Sequence, residues 1–202
     1  GVDHDFFSPS PERRSPYPDA VPAVVFTGAM DYWANVDAVC WFATAVWPLV
    51  RRAVPAARFY IIGARPSPEV SGLASEHIRI TGRVEDVRPY LERAAAVVAP
   101  MRIARGIQNK VLEGMAMARS VVTTSMGLEG IDAIPGKHLL VADQPAAMAE
   151  QLAALMRGDH GGLGRAARAR VLARYDWSTA TARFLDAVAG DRVPAQLDAS
   201  PT

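Results

Sequence analysis

The sequence predicts an α/β protein built on a doubly wound, Rossmann-like parallel sheet, and three observations carry that prediction. Short apolar runs recur along the chain without polar alternation, as strands buried on both faces do. Segments of helical period separate them, the pattern that yields a parallel sheet covered on both sides. Three of the first runs end in glycine, at FTG (Gly28), IIG (Gly63) and ITG (Gly82). These glycines either serve turns of positive φ or let a ligand or another backbone come close.

The elements follow in order. Residues 1–21, with Pro9, Pro11, Pro16, Pro18 and clustered charges, lack sustained periodicity and read as a linker. PAVVFTG (Pro22 to Gly28) is the first strand. From Asn35 to Arg52 the residues Val36, Val39, Cys40, Ala43, Val46 and Val50 share a helical face. RFYIIG (58–63) is the second strand, with a short helix expected at 68–75. HIRITG (77–82) is the third, with a helix at 86–93. Residues 95–99 form the fourth strand, and RIARGIQNKVLEGMA (102–116) is helical, with Ile107, Val111, Leu112 and Met115 on one face. Strands at 120–124 and 137–141 follow, then a helix at 145–157. Two further helices are expected at 163–175 and 178–188, beyond which the chain is rich in Pro, Ala and Asp. The folded unit is placed at residues 22–190 and a flexible tail at 191–202.

Composition limits the partners. A chain of 202 residues suffices for one full core, and half of its residues are hydrophobic. A net charge of +1 gives no broad bias toward nucleic acid or an anionic membrane, so any anion site is local. The single cysteine, Cys40, excludes a disulfide framework and fits a reducing compartment. Neither a membrane span nor a signal peptide is expected.

In a doubly wound sheet, ligands bind in the loops at the carboxyl ends of the strands. The loop PMRIARG delivers the chain to the helix at 102–116. A helix N-terminus offers free N–H donors and partial positive charge, Gly106 removes side-chain bulk there, and Arg102, Arg105 and Lys110 add full charges. A phosphate or diphosphate suits such a place. If the helix starts this early, Arg105, Asn109 and Glu113 form one stripe, with Glu113 about 12 Å along the axis from position 105. That separation is comparable with the reach from a diphosphate to a ribose, whose hydroxyls a carboxylate would accept. An ordinary i,i+3 surface pair of Lys110 and Glu113 fits the spacing equally.

The stretch RGIQNKVLEGMAMARSVVTTSMGLEG resembles the donor-binding signature of retaining glycosyltransferases of the GT-B fold, glycosyltransferase family four. The matching parts are LEGMA (112–116), SVVTT (120–124) and the glycine-bearing turn Met126 to Gly130. GVDHDFFSP (1–9) is similar to the family's hinge from an N-terminal domain, and YDWSTATARFLDAV (175–188) to its closing helix. FTGAMDYWANVDAV together with ARGIQNKVLE resembles a bacterial subgroup associated with exosortase and exopolysaccharide loci.

The resemblance implies one half of a GT-B fold with extra C-terminal helices, binding a nucleoside-diphosphate sugar for transfer to an acceptor hydroxyl with retention. Glu113 would hold the ribose, with Asn109 beside it. The backbone at Gly106 and Ile107 would approach sugar and phosphate, Gly82, Arg83 and Val84 would flank the base, and Gly28 would open the first loop toward the phosphates. Arg105, Lys110 and Arg102 would stabilise the departing diphosphate without a metal or other cofactor. It implies an acceptor glycan or glycolipid met through an N-terminal domain outside this chain, in the cytoplasm or at the inner face of the membrane. Two departures stand out: Arg105 occupies the position of a frequent family glutamate, and GAMDYWANVD lacks the Arg and Lys common in the first loop. A GT-B nucleotide-sugar epimerase and a non-catalytic nucleotide-binding scaffold remain as alternatives.

Other chemistries lack their residues. His4, His77, His138 and His160 show no metal-ligand spacing. A Gly-x-Ser-x-Gly elbow is absent, and the first strand is not followed by Gly-x-Gly-x-x-Gly, which disfavours a hydrolase and a dehydrogenase. Trp41 and Trp47 read as helix packing, while Trp33 stays open between packing and ligand stacking. The arginines of RAARARVLARY (165–175) read as a solvated helix face, with peripheral membrane contact as the other reading.

Overall fold

The computed structural model describes residues 1–18, 21–158 and 162–175. Its centre is one six-stranded sheet, all parallel, in the order β3-β2-β1-β4-β5-β6. The strands are β1 (Ala23–Thr27), β2 (Arg58–Ile62), β3 (Ile78–Gly82), β4 (Ala96–Ala99), β5 (Val121–Thr123) and β6 (Leu140–Val141). Every residue of β1, β4 and β5 is buried, which explains why these runs do not alternate. The order reverses between β1 and β4, so the loops after those two strands diverge and leave a crevice at their carboxyl ends.

The first crossover is one long helical run rather than a uniform α-helix. It comprises α1 (Trp33–Trp41), a π-helical segment Phe42–Val46, and α2 (Trp47–Ala53). Pro48 lacks an N–H and its ring crowds the preceding turn, and the wide π turn lies immediately before it. Trp47 is buried and tilts against Phe59 with ring centroids 5.6 Å apart. Trp41 is half-buried on the same run, whereas Trp33 is exposed.

The remaining helices are α3 (Pro68–Ser71), α4 (Arg88–Arg93), α5 (Asn109–Ala116), α6 (Ser125–Leu128), α7 (Pro145–Met156) and α8 (Leu163–Arg174). Three are shorter by two or more residues than their sequence patterns predict. The helix expected over 68–75 ends at Ser71, and Ser75 Oγ instead accepts from the N–H groups of His77 and Ile78 ahead of β3. Asp86, expected inside the next helix, precedes it and accepts from the Arg88 N–H at 2.9 Å. The largest correction concerns α5, which begins at Asn109 rather than near Arg102. Gly106 there has φ +68°, a left-handed conformation that a helix does not accept. The strand expected over 137–141 is reduced to Leu140–Val141, and the helix expected at 178–188 lies outside the described residues.

Residues 1–18 contain no helix or strand, yet they are pinned to the body. Arg13 forms an ion pair with Glu92 at 2.8 Å, and Glu92 also accepts from the Ser10 N–H at 2.7 Å. Tyr17 is buried against Tyr60 and donates its hydroxyl to the Tyr90 carbonyl at 2.6 Å. Arg168 of α8 donates to the Phe7 carbonyl at 3.1 Å. Proline and charge content thus hide a segment ordered by long-range partners.

Candidate functional site

The crevice is bounded on one side by the loop after β1. Gly28 N–H donates to Ile62 O, and the next glycine along the edge, Gly63, donates to Gly82 O at 3.1 Å. A Cβ on Gly63 would lie 1.6 Å from the Gly28 carbonyl oxygen, and one on Gly28 would lie 2.7 Å from Asn35 Nδ2. Close approach of the neighbouring backbone accounts for Gly63, and the Asn35 side chain packed against the first loop accounts for Gly28. Asn35 donates to the Ala29 carbonyl at 2.9 Å and orders the loop from inside α1. Its Oδ1 and the Thr27 Oγ1 are both buried without a hydrogen-bond partner among the described residues. Sequence reasoning passed over both residues. The available signal was a polar Asn directly before the apolar helical face.

The other wall is the loop after β4. Met101 is buried, and its carbonyl accepts from Thr124 Oγ1, while Thr123 Oγ1 donates to Ala99 O at 2.8 Å. The end of β5 thus clamps the start of the loop. Its far end meets the turn after β5: a Cβ on Gly130 would touch Ile107 Cγ1 at 3.4 Å. Ile107, predicted to share the apolar face of α5, lies before that helix and is exposed. Val111, Leu112 and Met115 are fully buried as predicted.

Because α5 starts at Asn109, Arg105 is not on it, and the stripe joining Arg105, Asn109 and Glu113 does not form. Arg105 and Asn109 are exposed. Arg105 makes no hydrogen bond or ion pair among the described residues. Arg102 turns away to a bidentate pairing with Asp37 of α1, with Nε to Oδ2 at 3.0 Å, and its guanidinium sits 5.8 Å from the Trp41 ring centroid.

Lys110 and Glu113 remain together on the first turn and a half of α5, both half-buried. Lys110 Nζ lies 5.5 Å from the ring centroid of Phe26 of β1 and donates to Gln108 Oε1 at 3.2 Å. Burial pulls the ammonium's pKa down, and the nearby Glu113 charge partly offsets this. Glu113 mirrors it: burial pushes the carboxyl up and Lys110 opposes. The Glu113 carboxylate accepts no hydrogen bond among the described residues.

Gly82, with φ +68°, and Arg83 and Val84 follow β3, which lies two strands from β1 and so about 10 Å across the sheet. Arg83 is exposed and Val84 packs against the core. No group of His, Cys, Asp and Glu suited to a metal ion occurs among the described residues. His138 is tied to the Ile134 N–H through Nδ1 at 3.0 Å. A cavity of about 220 Å³ lined by Ala95, Arg119, Ser120 and Gly164 opens at the amino ends of β4 and β5, the opposite edge from these loops.

A family model described as glycosyl transferases group 1 matches residues 21–158. No curated protein matches the chain in sequence. Among solved structures, the chain resembles Anabaena HepE in complex with UDP-glucose, with a TM-score of 0.76, 12% identity, and coverage of 94% of this chain and 56% of that one. Sucrose-phosphate synthase from Thermosynechococcus elongatus gives 0.72 at 18% identity, covering 94% and 51%. The C-terminal domain of the LpcC group 1 glycosyl transferase from Francisella tularensis gives 0.68 at 17% identity, covering 88% of this chain and all of that one. The chain thus spans about half the length of HepE and of the synthase. At these identities the likeness concerns the fold, a GT-B half-molecule. No helix among the described residues is long and apolar enough to cross a membrane.

Proposed function

This chain belongs to the glycosyl transferases group 1 family, and from that premise we propose that the crevice between β1 and β4 binds the nucleoside-diphosphate sugar donor of a glycosyltransferase. The observation that carries the reading is Glu113, a half-buried carboxylate with no hydrogen bond of its own among the described residues. Desolvating a carboxylate without donors is unfavourable, and the vicinal hydroxyls of a ribose supply two. Lys110, three residues nearer the helix N-terminus, and the exposed Arg105 attract the diphosphate, together with the N–H groups at the start of α5. Arg102, expected beside them, contributes less while Asp37 neutralises it. Gly28, and Gly82 with Arg83 and Val84, border the phosphate and base ends.

In this reading negative charge gathers on the leaving diphosphate as the bond to the sugar's anomeric carbon breaks. Lys110, Arg105 and the helix terminus are placed before reaction to stabilise that charge, which is where such groups contribute most. The reading extends to transfer with retention, without a metal, to an acceptor glycan or glycolipid held by a companion domain outside this chain. It places the enzyme in bacterial polysaccharide or glycoconjugate synthesis, in the cytoplasm or at the inner membrane face, with no nucleic-acid partner.

Thermal unfolding against UDP, GDP, ADP, CMP and NAD tests the donor site. A ligand at a hundred times its dissociation constant stabilises the folded state by about 2.7 kcal/mol. One nucleoside diphosphate is expected to raise Tm. A response to none up to millimolar concentration, or to NAD instead, overturns the reading. The chain alone is expected to bind donor and turn over little of it.

A further inference from the structure

We propose that Gln108 is a positioning residue that fixes the Lys110 ammonium at the crevice and keeps it charged. The proposal rests on the donor-site reading for its consequence, but on contacts within the chain for its geometry.

Gln108 occupies the N-cap position of α5, with φ −85° and ψ 98°, yet its side chain does not cap the helix. It spans two other groups instead. Nε2 donates to the Gly106 carbonyl at 3.1 Å, and Oε1 accepts from Lys110 Nζ at 3.2 Å. The amide orientation is fixed by chemistry. Flipping it would set an NH₂ group against an ammonium and a carbonyl oxygen against a carbonyl oxygen, two repulsive contacts in place of two bonds.

The Lys110 ammonium needs such a partner. Its stem is half-buried, the Phe26 ring face 5.5 Å away attracts it only weakly and accepts no hydrogen bond, and no ion pair with Glu113 forms within 4.0 Å. Gln108 Oε1 is the side-chain acceptor that holds it among the described residues. A neutral amide does so without neutralising the charge, and it occupies one of the three ammonium hydrogens, leaving two for phosphate oxygens. A carboxylate there would hold the ammonium more tightly but cancel its attraction for a diphosphate. Gly106, held in the left-handed region, turns its carbonyl into position to anchor the amide.

The first test is titration of the Lys110 side chain by NMR in the chain without nucleotide. Gln108→Met removes the acceptor, and the midpoint of Lys110 is expected to fall relative to the unsubstituted chain. Gln108→Glu replaces it with a charged acceptor, and the midpoint is expected to rise. An unchanged midpoint in both variants overturns the proposal, because a merely structural side chain would leave it alone.

The second test is calorimetric titration with UDP, GDP and ADP, each beside its own nucleoside. For the diphosphate that binds, Gln108→Met is expected to lower affinity about tenfold while the nucleoside binds as before. The loss should set in at lower pH than in the unsubstituted chain. Equal loss of diphosphate and nucleoside overturns the positioning role. A shifted Lys110 midpoint in a chain that binds no diphosphate overturns the donor-site reading and leaves the Gln108–Lys110 link standing.

Discussion

Lys110 and Glu113 stand three residues apart on α5, yet they do not meet as an ion pair within 4.0 Å. Burial draws their pKa values toward each other, lowering the lysine and raising the glutamate. An exposed i,i+3 pair would show neither effect. Two opposite charges held half-buried and apart cost stability in the ligand-free chain, as groups kept ready for a third party do.

The first prediction concerns that cost. A carboxyl whose folded pKa is raised stabilises the fold fully below its unfolded value and loses this as pH rises through the folded value. Charged Glu113 therefore destabilises the chain at neutral pH. Glu113→Gln is expected to raise Tm by about 2–4 °C at neutral pH, with the gain vanishing toward about pH 4. The same variant should bind nucleoside diphosphate about tenfold more weakly. Thermal unfolding at both pH values and one titration check it, and unchanged affinity would remove Glu113 from the donor site.

The Arg102–Asp37 pairing makes a second prediction. Asp37→Ala releases the guanidinium beside the crevice. Diphosphate affinity is expected to rise about threefold at low ionic strength and to return to its starting value in high salt. Weaker binding would mean that Asp37 orders the loop rather than neutralising its charge.

Two glycines separate packing from strain. Gly63→Ala places a Cβ 1.6 Å from the Gly28 carbonyl oxygen, an overlap expected to cost on the order of 3 kcal/mol or more. Gly106→Ala meets nothing within 4 Å and carries only the penalty of φ +68°, about 1 kcal/mol. Urea unfolding of the two variants distinguishes them, and equal losses would contradict the geometry.

The N-terminal segment supplies the fourth. Glu92 is buried and receives both the Arg13 guanidinium and the Ser10 N–H. Glu92→Ala leaves Arg13 without its carboxylate and is expected to cost about 3–5 kcal/mol. A loss below about 1 kcal/mol, the value of a surface pair, would show that residues 1–18 add little to the body's stability.

The strands and their order of burial were legible in the sequence because each depends on local pattern. Val24, Val25 and Phe26, or Val97 and Val98, are apolar at successive positions, and only a strand covered on both faces buries such a run. The apolar face of α5 was equally plain at Val111, Leu112 and Met115. What periodicity alone did not fix was where that helix begins. Ile107 continues the apolar spacing, but the loop reverses at Gly106, and that decision depends on β5 clamping Met101 through Thr124.

Side-chain partners were less legible still, since they come from residues far apart in sequence. Arg102 looked like a phosphate ligand until the fold set it against Asp37, 65 positions away. Residues 1–21 read as a linker, because the pairing of Arg13 with Glu92 of α4 joins positions 79 apart in sequence. The sequence by itself determined the parallel α/β sheet and the residue types gathered at the carboxyl ends of its strands. Only the tertiary structure decided which of those charges are already neutralised and which are held in reserve, because that depends on distance and desolvation rather than on spacing along the chain.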